Sequence, residues 1–246
     1  MYTLAIAAQK GGTGKTSSCL ALAAELSKAG YNLLMVDADP QGNLSRTLLQ
    51  EKAENTLYDV LQGSVPATNA TYKARYGHII APGDALKGKD PITGNEPAHA
   101  LKRALEGQRR AYDVCIVDTP PNLGQLTVAA LTAADGVIVP ARPDRYSIDG
   151  LQELHRTCTA IRKSTNKRLQ LLGVILTQFN GRVNLCKDIL TALEAQAKLL
   201  HTKVYLPPVR YAAAVTSWQY EGITKCTAQQ DYEALAAQIM ADMKLK

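Results

Sequence analysis

The sequence has little of several features that would indicate other classes of protein. Its 246 residues include one Phe, one Trp and five Cys, and no two cysteines form a CxxC pair. An odd number of scattered cysteines disfavours a disulfide framework or an iron–sulfur cluster and indicates single buried thiols in a reducing compartment. No apolar run approaches the roughly 20 residues that a membrane-spanning helix needs.

The first residues also lack the charged lead and apolar segment of a secretory signal peptide. We therefore expect a cytoplasmic protein. The apolar fraction of 46% is ordinary and sufficient for a sizeable core, and the net charge is +6. This positive charge is a mild indication of a polyanionic partner, either nucleic acid or an acidic membrane.

The most informative stretch is glycine-rich and runs from Ala8 to Ser17, with the sequence AQKGGTGKTS. An apolar run before it predicts a buried strand, and the Ala/Leu-rich pattern after it predicts a helix. Strand, glycine-rich turn and helix together indicate a phosphate-binding loop, because the glycines and the helix N-terminus direct N–H groups at one anion. Within it, Lys15 is suited to the β- and γ-phosphates of a nucleotide, and the Thr16 hydroxyl to Mg²⁺.

Three carboxylates follow predicted strands. Asp37 and Asp39 come after the apolar run 32–36, and Asp118 comes after the run 114–117. Ligands of parallel sheets bind at the carboxyl ends of the strands. Asp118 at such a strand end is suited to hold Mg²⁺ through a water molecule. Asp37 and Asp39 share one face if the chain stays extended, and they diverge if it turns after the strand.

The rest of the chain alternates predicted strands and helices, which is typical of an α/β fold with a doubly wound, mostly parallel sheet and helices on both faces. We expect one domain over residues 1–246, since no linker or repeat divides it. The least regular part is 64–98, a possible position for an insertion or lid, with one strand predicted at 78–81. Further strands are predicted at 136–140, 169–176 and 203–206, and helices at 43–50, 56–62, 98–110, 123–133, 146–162, 184–199 and 228–243.

The loop KGGTGKT resembles the deviant Walker A loop of the ParA, MinD and nitrogenase-iron-protein class of P-loop ATPases. Gln9 stands where the general P-loop pattern has its first glycine, and Lys10 precedes the glycine pair. The segments DADPQGN and DTPPNLG resemble switch I and switch II of the ParA family, and the resemblance covers nearly the whole chain. Small departures are Ala8, Ser17 and Asn122, where Asn, Thr and Ser are common.

The resemblance implies ATP and Mg²⁺ as ligands and a homodimer that forms with ATP. It implies that Lys10 reaches the partner's nucleotide, that Lys15 binds the β- and γ-phosphates, and that Asp39 orients the attacking water. It implies metal roles for Thr16, Asp37 and Asp118. The implied nucleotide contacts are Lys10, Gly11, Gly12, Thr13, Gly14, Lys15, Thr16 and Ser17. Adenine is implied to lie near residues 178–180 and 207–210, with Asn180 and Pro208 as candidate contacts.

Within this class, a MinD-type member ends in a basic amphipathic helix that lies on a membrane. Here the last predicted helix carries Asp231, Glu233 and Asp242 at polar positions, so we expect it to pack in the core and expect no membrane binding. A nitrogenase-type member needs paired or bridging cysteines, which this chain lacks. The resemblance is therefore strongest to ParA-type segregation ATPases.

ParA-type function implies non-specific binding of double-stranded DNA by basic side chains of the C-terminal half, with release through hydrolysis stimulated by a ParB-type centromere-binding protein. It implies a protein associated with the nucleoid. The candidate DNA-binding residues are Arg182, Lys187, Arg210 and Lys225. Each is equally compatible with an ordinary solvated surface charge. Two alternatives stay open: a MinD-like positioning ATPase that acts on a membrane or protein, and a nucleotide-dependent dimerising regulator with little hydrolysis.

Overall fold

A computed structural model describes residues 1–87, 92 and 96–245. This part of the chain forms an eight-stranded sheet with the order β3-β4-β2-β5-β1-β6-β7-β8. Every pairing is parallel except that of β3 with β4. The strands are β1 Tyr2–Ile6, β2 Leu33–Asp37, β3 Tyr72–Ala74, β4 Gly77–Ile80, β5 Val114–Asp118, β6 Gly136–Ala141, β7 Gln170–Leu176 and β8 Val204–Tyr205.

Helices cover both faces of the sheet, as the apolar runs predict. Leu4 and Ile6 of β1 pack in one cluster with residues of the first and last helices, whereas Ala5 and Ala7 pack on the opposite face. Burial on both sides explains why the central strands are continuously apolar instead of alternating. The helices are α1 Lys15–Lys28, α2 Asn43–Leu48, α3 Leu57–Leu61, α4 Ala100–Glu106, α5 Gln125–Ala133, α6 Tyr146–Ser164, α7 Asn184–Leu199, α8 Ala214–Glu221 and α9 Thr227–Asp242.

Local signals place most of these elements within a few residues of their predicted positions. Thr56 is the N-cap of α3, at the start of the helix predicted over 56–62, and forms a capping box in which the Thr56 N–H donates to the Asp59 carboxylate over 2.9 Å. The last helix packs in the core as predicted, with Tyr232, Leu235 and Ile239 buried. Asp231, which was expected on its polar face, is itself buried because it pairs with Arg210. All five cysteines are free, as expected; Cys19, Cys115, Cys158 and Cys186 are buried, whereas Cys226 is only partly buried.

Two elements were not predicted. β3 is a short antiparallel edge strand, and α8 follows the Pro-Pro turn. Both are short, and α8 lacks an amphipathic pattern, so periodicity does not reveal them. The possible insertion or lid within 64–98 falls partly on residues 88–91 and 93–95, which lie outside the described residues.

The sheet order places the glycine-rich loop at a topological switch point. β1 lies between β5 and β6, and the chain runs to one side of β1 through β2 and to the other side through β6. The carboxyl ends of β1, β2, β5 and β7 therefore open at one edge, where ligands bind in doubly wound sheets.

Candidate nucleotide-binding site

The glycine-rich loop connects β1 to α1 and takes a conformation that glycine favours. Gly12 and Gly14 have φ angles of 72° and 91°, and Gly14 is the N-cap of α1. These left-handed angles need glycine because a Cβ atom would clash with the backbone. The Lys15 side chain is buried and its ammonium lies 3.5 Å from the Lys10 carbonyl oxygen, so it folds back over the loop.

Two side chains that follow β7 donate hydrogen bonds to backbone carbonyls of this loop. The Thr177 hydroxyl donates to the Thr13 carbonyl over 2.8 Å, and the Gln178 amide nitrogen donates to the Gly12 carbonyl over 3.1 Å. Gln178 itself has a φ of 54°, which is uncommon for a residue with a side chain. Both bonds set the direction of loop carbonyls, so the end of β7 contributes to the shape of the anion site.

The Thr16 hydroxyl donates to a carboxylate oxygen of Asp118 over 2.7 Å. This bond joins the first turn of α1 to the end of β5. The other oxygen, Oδ1, is buried without a hydrogen-bond partner among the described residues, apart from the weakly donating Cys19 thiol that lies beside this carboxylate. A buried, half-satisfied carboxylate next to a threonine hydroxyl fits a hydrated divalent cation.

Burial perturbs the ionisation of these groups. It raises the pKa of the Asp118 carboxyl, although the Thr16 hydrogen bond and the Lys15 charge oppose this shift. Burial, together with the charge of neighbouring Asp118, also raises the pKa of Asp37. Burial lowers the pKa of Lys15, against the charges of Asp118 and Asp39. A bound cation would favour the charged carboxylates, since it supplies the missing opposite charge.

Asp37 and Asp39 diverge because the chain turns directly after β2. Asp37 is fully buried, and its carboxylate accepts the Ser45 N–H over 2.8 Å and the Asp39 N–H over 3.3 Å. Asp39 lies beyond the strand, accepts the Gln41 N–H over 2.9 Å and lines the cleft above the loop. Asp37 therefore anchors the switch I segment, while Asp39 faces the space where a ligand binds.

The cleft above the loop has a volume of about 440 Å³. Two helices contribute to its walls: α2 through Asn43 and Thr47, and α8 through Val215, Thr216 and Trp218. Sequence analysis did not identify these residues, since nothing in the sequence indicates that α8 folds over the loop. No group of three or more His, Cys, Asp or Glu side chains around a common point occurs among the described residues. The arrangement suits a cation held by one hydroxyl, water and phosphate oxygens.

Of the segments 178–180 and 207–210, which are predicted to lie near adenine, this lining includes Gln178. In the described part of the chain, the cleft is lined by Gln178 but by neither Asn180 nor Pro208. The Asn180 side chain instead accepts the Arg182 N–H over 3.0 Å. Adenine recognition by Asn180 and Pro208 therefore stays a prediction, and Gln178 is the residue of this segment that reaches the loop.

Lys10 points away from the cleft of its own chain. Its ammonium donates to the Asp144 carboxylate over 2.9 Å and lies 4.9 Å from the centre of the Tyr146 ring. Both partners lie at the start of α6, and half of the Lys10 side chain is exposed. Lys10 and Lys15 thus have opposite orientations although only four residues separate them.

The four candidate DNA-binding residues have different surroundings. Arg182, Lys187 and Lys225 are exposed. The Arg210 guanidinium instead pairs with the buried Asp231 carboxylate, with contacts of 2.8 Å from Nη2 and 2.9 Å from Nε. This fork joins the turn after β8 to α9, a structural role that sequence analysis did not predict.

Comparisons with known proteins agree with this geometry. A family model described as an AAA domain (AAA_31) matches residues 1–171. The chain is 36% identical to the chromosome partitioning protein ParA of Caulobacter vibrioides, over 98% of this chain and 94% of that protein. It is 37% identical to the chromosome-partitioning ATPase Soj of Thermus thermophilus, over 78% of this chain and 75% of that protein.

A solved structure resembles the whole chain. It is that of cobyrinic acid a,c-diamide synthase from Mycobacterium smegmatis with bound ATP analogue and magnesium. It superposes with a TM-score of 0.88 at 30% identity and covers 99% of this chain and 96% of the other. The fold is therefore shared with a protein whose structure contains an ATP analogue and magnesium.

Proposed function

Because the chain belongs to the ParA family of P-loop ATPases, we propose that it is a DNA-segregation ATPase whose ATP-bound dimer binds DNA without sequence preference. The observation that carries the proposal is the bond from Thr16 to Asp118 beside the buried Lys15. It joins the phosphate-binding loop to the end of β5 and leaves one Asp118 oxygen for a cation. The similarity to the chromosome-partitioning proteins ParA and Soj supports the role in DNA segregation.

ATP and Mg²⁺ are the proposed ligands. Gly11, Gly12, Gly14, Lys15, Thr16 and Ser17 line the cleft, which supports binding of the phosphates there. The Mycobacterium structure contains an ATP analogue and magnesium, which supports the same pair of ligands here. That protein is an amide-forming synthase, so it gives no support for a role in DNA segregation. Bound Mg²⁺ would neutralise phosphate charge, with Thr16 and Asp118 holding it and Asp37 supporting the segment around it.

Hydrolysis is assigned to Asp39 as the residue that orients the attacking water. Its carboxylate faces the cleft and is held by the Gln41 N–H, so it keeps one direction relative to the loop. An oriented carboxylate near the terminal phosphate is the group that water attack needs. We expect slow turnover, because the site gains Lys10 of the partner only when two chains pair.

Lys10 acts in the dimer, as the resemblance implies. Its side chain is half exposed, pairs with Asp144 and does not line the cleft of its own chain, which supports a role toward a second copy. Pairing across this edge of the sheet would bring each Lys10 to the other subunit's phosphates. The expected assembly is a symmetric homodimer, since each copy offers the same residue and the same cleft.

DNA binding is assigned to exposed basic side chains, with a ParB-type centromere-binding protein as the partner that stimulates hydrolysis. Arg182 and Lys187 lie on and beside the first turn of α7, and Lys225 precedes α9. Contacts of this kind bind phosphates and give salt-sensitive association with little sequence preference. Nucleoid association in the cytoplasm is the expected location.

The membrane alternative has less support from the structure. The apolar face of α9 packs in the core beside α1, so that helix has no free apolar face to lay on lipid. Among the described residues, no helix combines the length and apolar character required to cross a membrane.

Co-sedimentation with non-specific duplex DNA in ATP, ADP and no nucleotide tests the proposal across a salt series. We expect DNA to bind only with ATP, binding to weaken with salt, and the Arg182→Ala/Lys187→Ala variant to lose it. Dimerisation with ATP but no DNA binding would reject the DNA role and redirect the search to protein and lipid partners. A turnover assay with Mg²⁺, DNA and candidate partner separates an ATPase from a regulator that only dimerises.

A further inference from the structure

Lys10 makes two contacts within its own chain that are incompatible with a position on another subunit's nucleotide. Its ammonium lies 2.9 Å from the Asp144 carboxylate and 4.9 Å from the Tyr146 ring centre. Asp144 and Tyr146 follow β6, more than 130 residues along the chain. An ammonium paired with a carboxylate and placed over an aromatic face is held by two attractive interactions.

The acceptor is held in place before Lys10 reaches it. The Ser147 hydroxyl donates to the Arg142 carbonyl over 2.5 Å and lies 3.2 Å from the other Asp144 carboxylate oxygen, and the Ser147 N–H donates to the Asp144 carbonyl over 3.2 Å. Tyr146 is the first residue of α6, and its side chain is 71% exposed, so the ring offers a face to solvent and to Lys10. Pre-placed partners reduce the entropy lost when the flexible lysine binds, which distinguishes this pair from most surface ion pairs.

The Lys10 carbonyl also lies near two polar groups of the loop, 3.5 Å from the Lys15 ammonium and 3.4 Å from the Thr13 hydroxyl. The contacts with Asp144 and Tyr146 are made by the end of the flexible Lys10 side chain, so rotation about its side-chain bonds is enough to break them.

We propose that Asp144 and Tyr146 are positioning residues that hold the Lys10 side chain on its own subunit until ATP-driven pairing releases it. The proposal rests on the proposed function, in which Lys10 acts on the partner's nucleotide. In addition, the contacts of Lys10 with Asp144 and Tyr146 compete with its contact to the partner's nucleotide. Every dimer that forms therefore breaks this intramolecular contact twice, once in each chain. The contact thus weakens the pairing of single chains and returns Lys10 to its own chain after the dimer separates.

The test combines two measurements on the full-length chain. The first is the rate at which an amine-selective acylating reagent modifies Lys10 without nucleotide, measured by mass spectrometry against exposed Lys187 as internal reference. The second is the dimerisation constant at saturating ATP and Mg²⁺, measured by sedimentation velocity. The variants are Asp144→Asn, which keeps an acceptor for Ser147, and Tyr146→Leu, with Tyr146→Phe as the conservative variant that retains the ring face.

Asp149→Asn is the matched control, since Asp149 is exposed in the first turn of the same helix and the substitution removes the same charge. We expect Asp144→Asn and Tyr146→Leu, but neither Tyr146→Phe nor Asp149→Asn, to speed Lys10 acylation. We expect Asp144→Asn to tighten dimerisation by about 2- to 25-fold, because an exposed ion pair shifts an equilibrium by about 1.4- to 5-fold and each dimer breaks two.

Unchanged acylation of Lys10 in Asp144→Asn would overturn the proposal. Faster acylation with unchanged or weaker dimerisation would also overturn it and would leave the proposed dimer intact. If the unaltered chain forms no dimer with ATP, the proposed function fails, and with it the role of the contact in pairing. Dimerisation of the unaltered chain with ATP therefore distinguishes failure of the proposed function from failure of the proposed role of Asp144 and Tyr146.

Discussion

Two regions of the molecule differ in how firmly their polar groups are held: the nucleotide site and the exposed basic surface. On one side, Thr16, Asp37 and Asp118 lie at the ends of α1, β2 and β5 and are bonded to each other or to backbone N–H groups. On the other side, Arg182, Lys187 and Lys225 are exposed around α7 and before α9. Hydrogen bonds fix the side-chain positions in the first region. The exposed side chains of the second region are proposed to bind DNA through their combined positive charge.

The difference predicts how each region responds to substitution. Buried, bonded groups each have one position and one partner, so the loss of a single group has a large effect. Exposed charges interact through water and salt, so each contributes little and their effects accumulate. Two residues test the contrast because each has features of both regions: Lys10, which is exposed but paired, and Arg210, which is half-exposed but bonded to a buried carboxylate.

The largest expected effect is that of Asp39→Asn. Asn keeps an acceptor for the Gln41 N–H but removes the charge that orients water, so we expect hydrolysis to fall by about 10²- to 10⁴-fold while ATP still binds. Single-turnover phosphate release measures the first quantity, and fluorescence of Trp218, the one tryptophan of the chain and a residue of the cleft wall, measures the second. The ATP-bound dimer should persist on DNA. Normal turnover would remove Asp39 from catalysis.

Lys15→Ala comes next and is compared with Lys10→Ala. Loss of the buried ammonium removes a charge-assisted contact to phosphate, so we expect ATP binding to weaken by about 10- to 150-fold. Lys10→Ala should retain ATP binding by the single chain and lose stimulated hydrolysis, since Lys10 is oriented away from its own cleft. Equal losses of ATP binding in the two variants would contradict the opposite roles assigned to these lysines.

Arg210→Ala tests whether a residue of the exposed region belongs to the folded framework. It leaves the buried Asp231 carboxylate with the N–H of residue 210 as its remaining bond from this turn, so we expect a lower midpoint of thermal unfolding. Arg210→Lys keeps the charge but not the forked geometry and should give an intermediate midpoint. Arg182→Ala should leave the midpoint unchanged. An unchanged midpoint in Arg210→Ala would place Arg210 with the surface charges.

The smallest expected effect is on DNA affinity. Removing the exposed Arg182 should weaken ATP-dependent DNA binding a few-fold and reduce the dependence of log K on log salt by about one unit. Lys102→Ala is the matched control, because Lys102 is an exposed cation on α4, away from α7. Fluorescence anisotropy of labelled duplex DNA across a salt series measures both quantities. Equal slopes in all three proteins would exclude Arg182 from the DNA surface.

The sequence alone determined what depends on neighbours along the chain. The run from β1 through the glycine-rich loop to α1 shows in adjacent residue types, as do the strand-end carboxylates Asp37 and Asp118 and the capping box at Thr56. Apolar runs that are buried on both faces predict a parallel sheet without knowledge of its order. Resemblance of three short segments was enough to identify the family, because those segments lie where ligands bind.

Only the tertiary structure decided which distant residues meet. The pairs Lys10–Asp144, Gln178–Gly12 and Arg210–Asp231 join parts of the chain separated by 134, 166 and 21 positions. No local pattern encodes them, because a hydrogen bond between distant residues depends on the order and register of strands and on helix packing. The turn after β2 likewise separated Asp37 from Asp39, which spacing alone left open. The sequence thus determined the parts of the site, and packing decided where each side chain points.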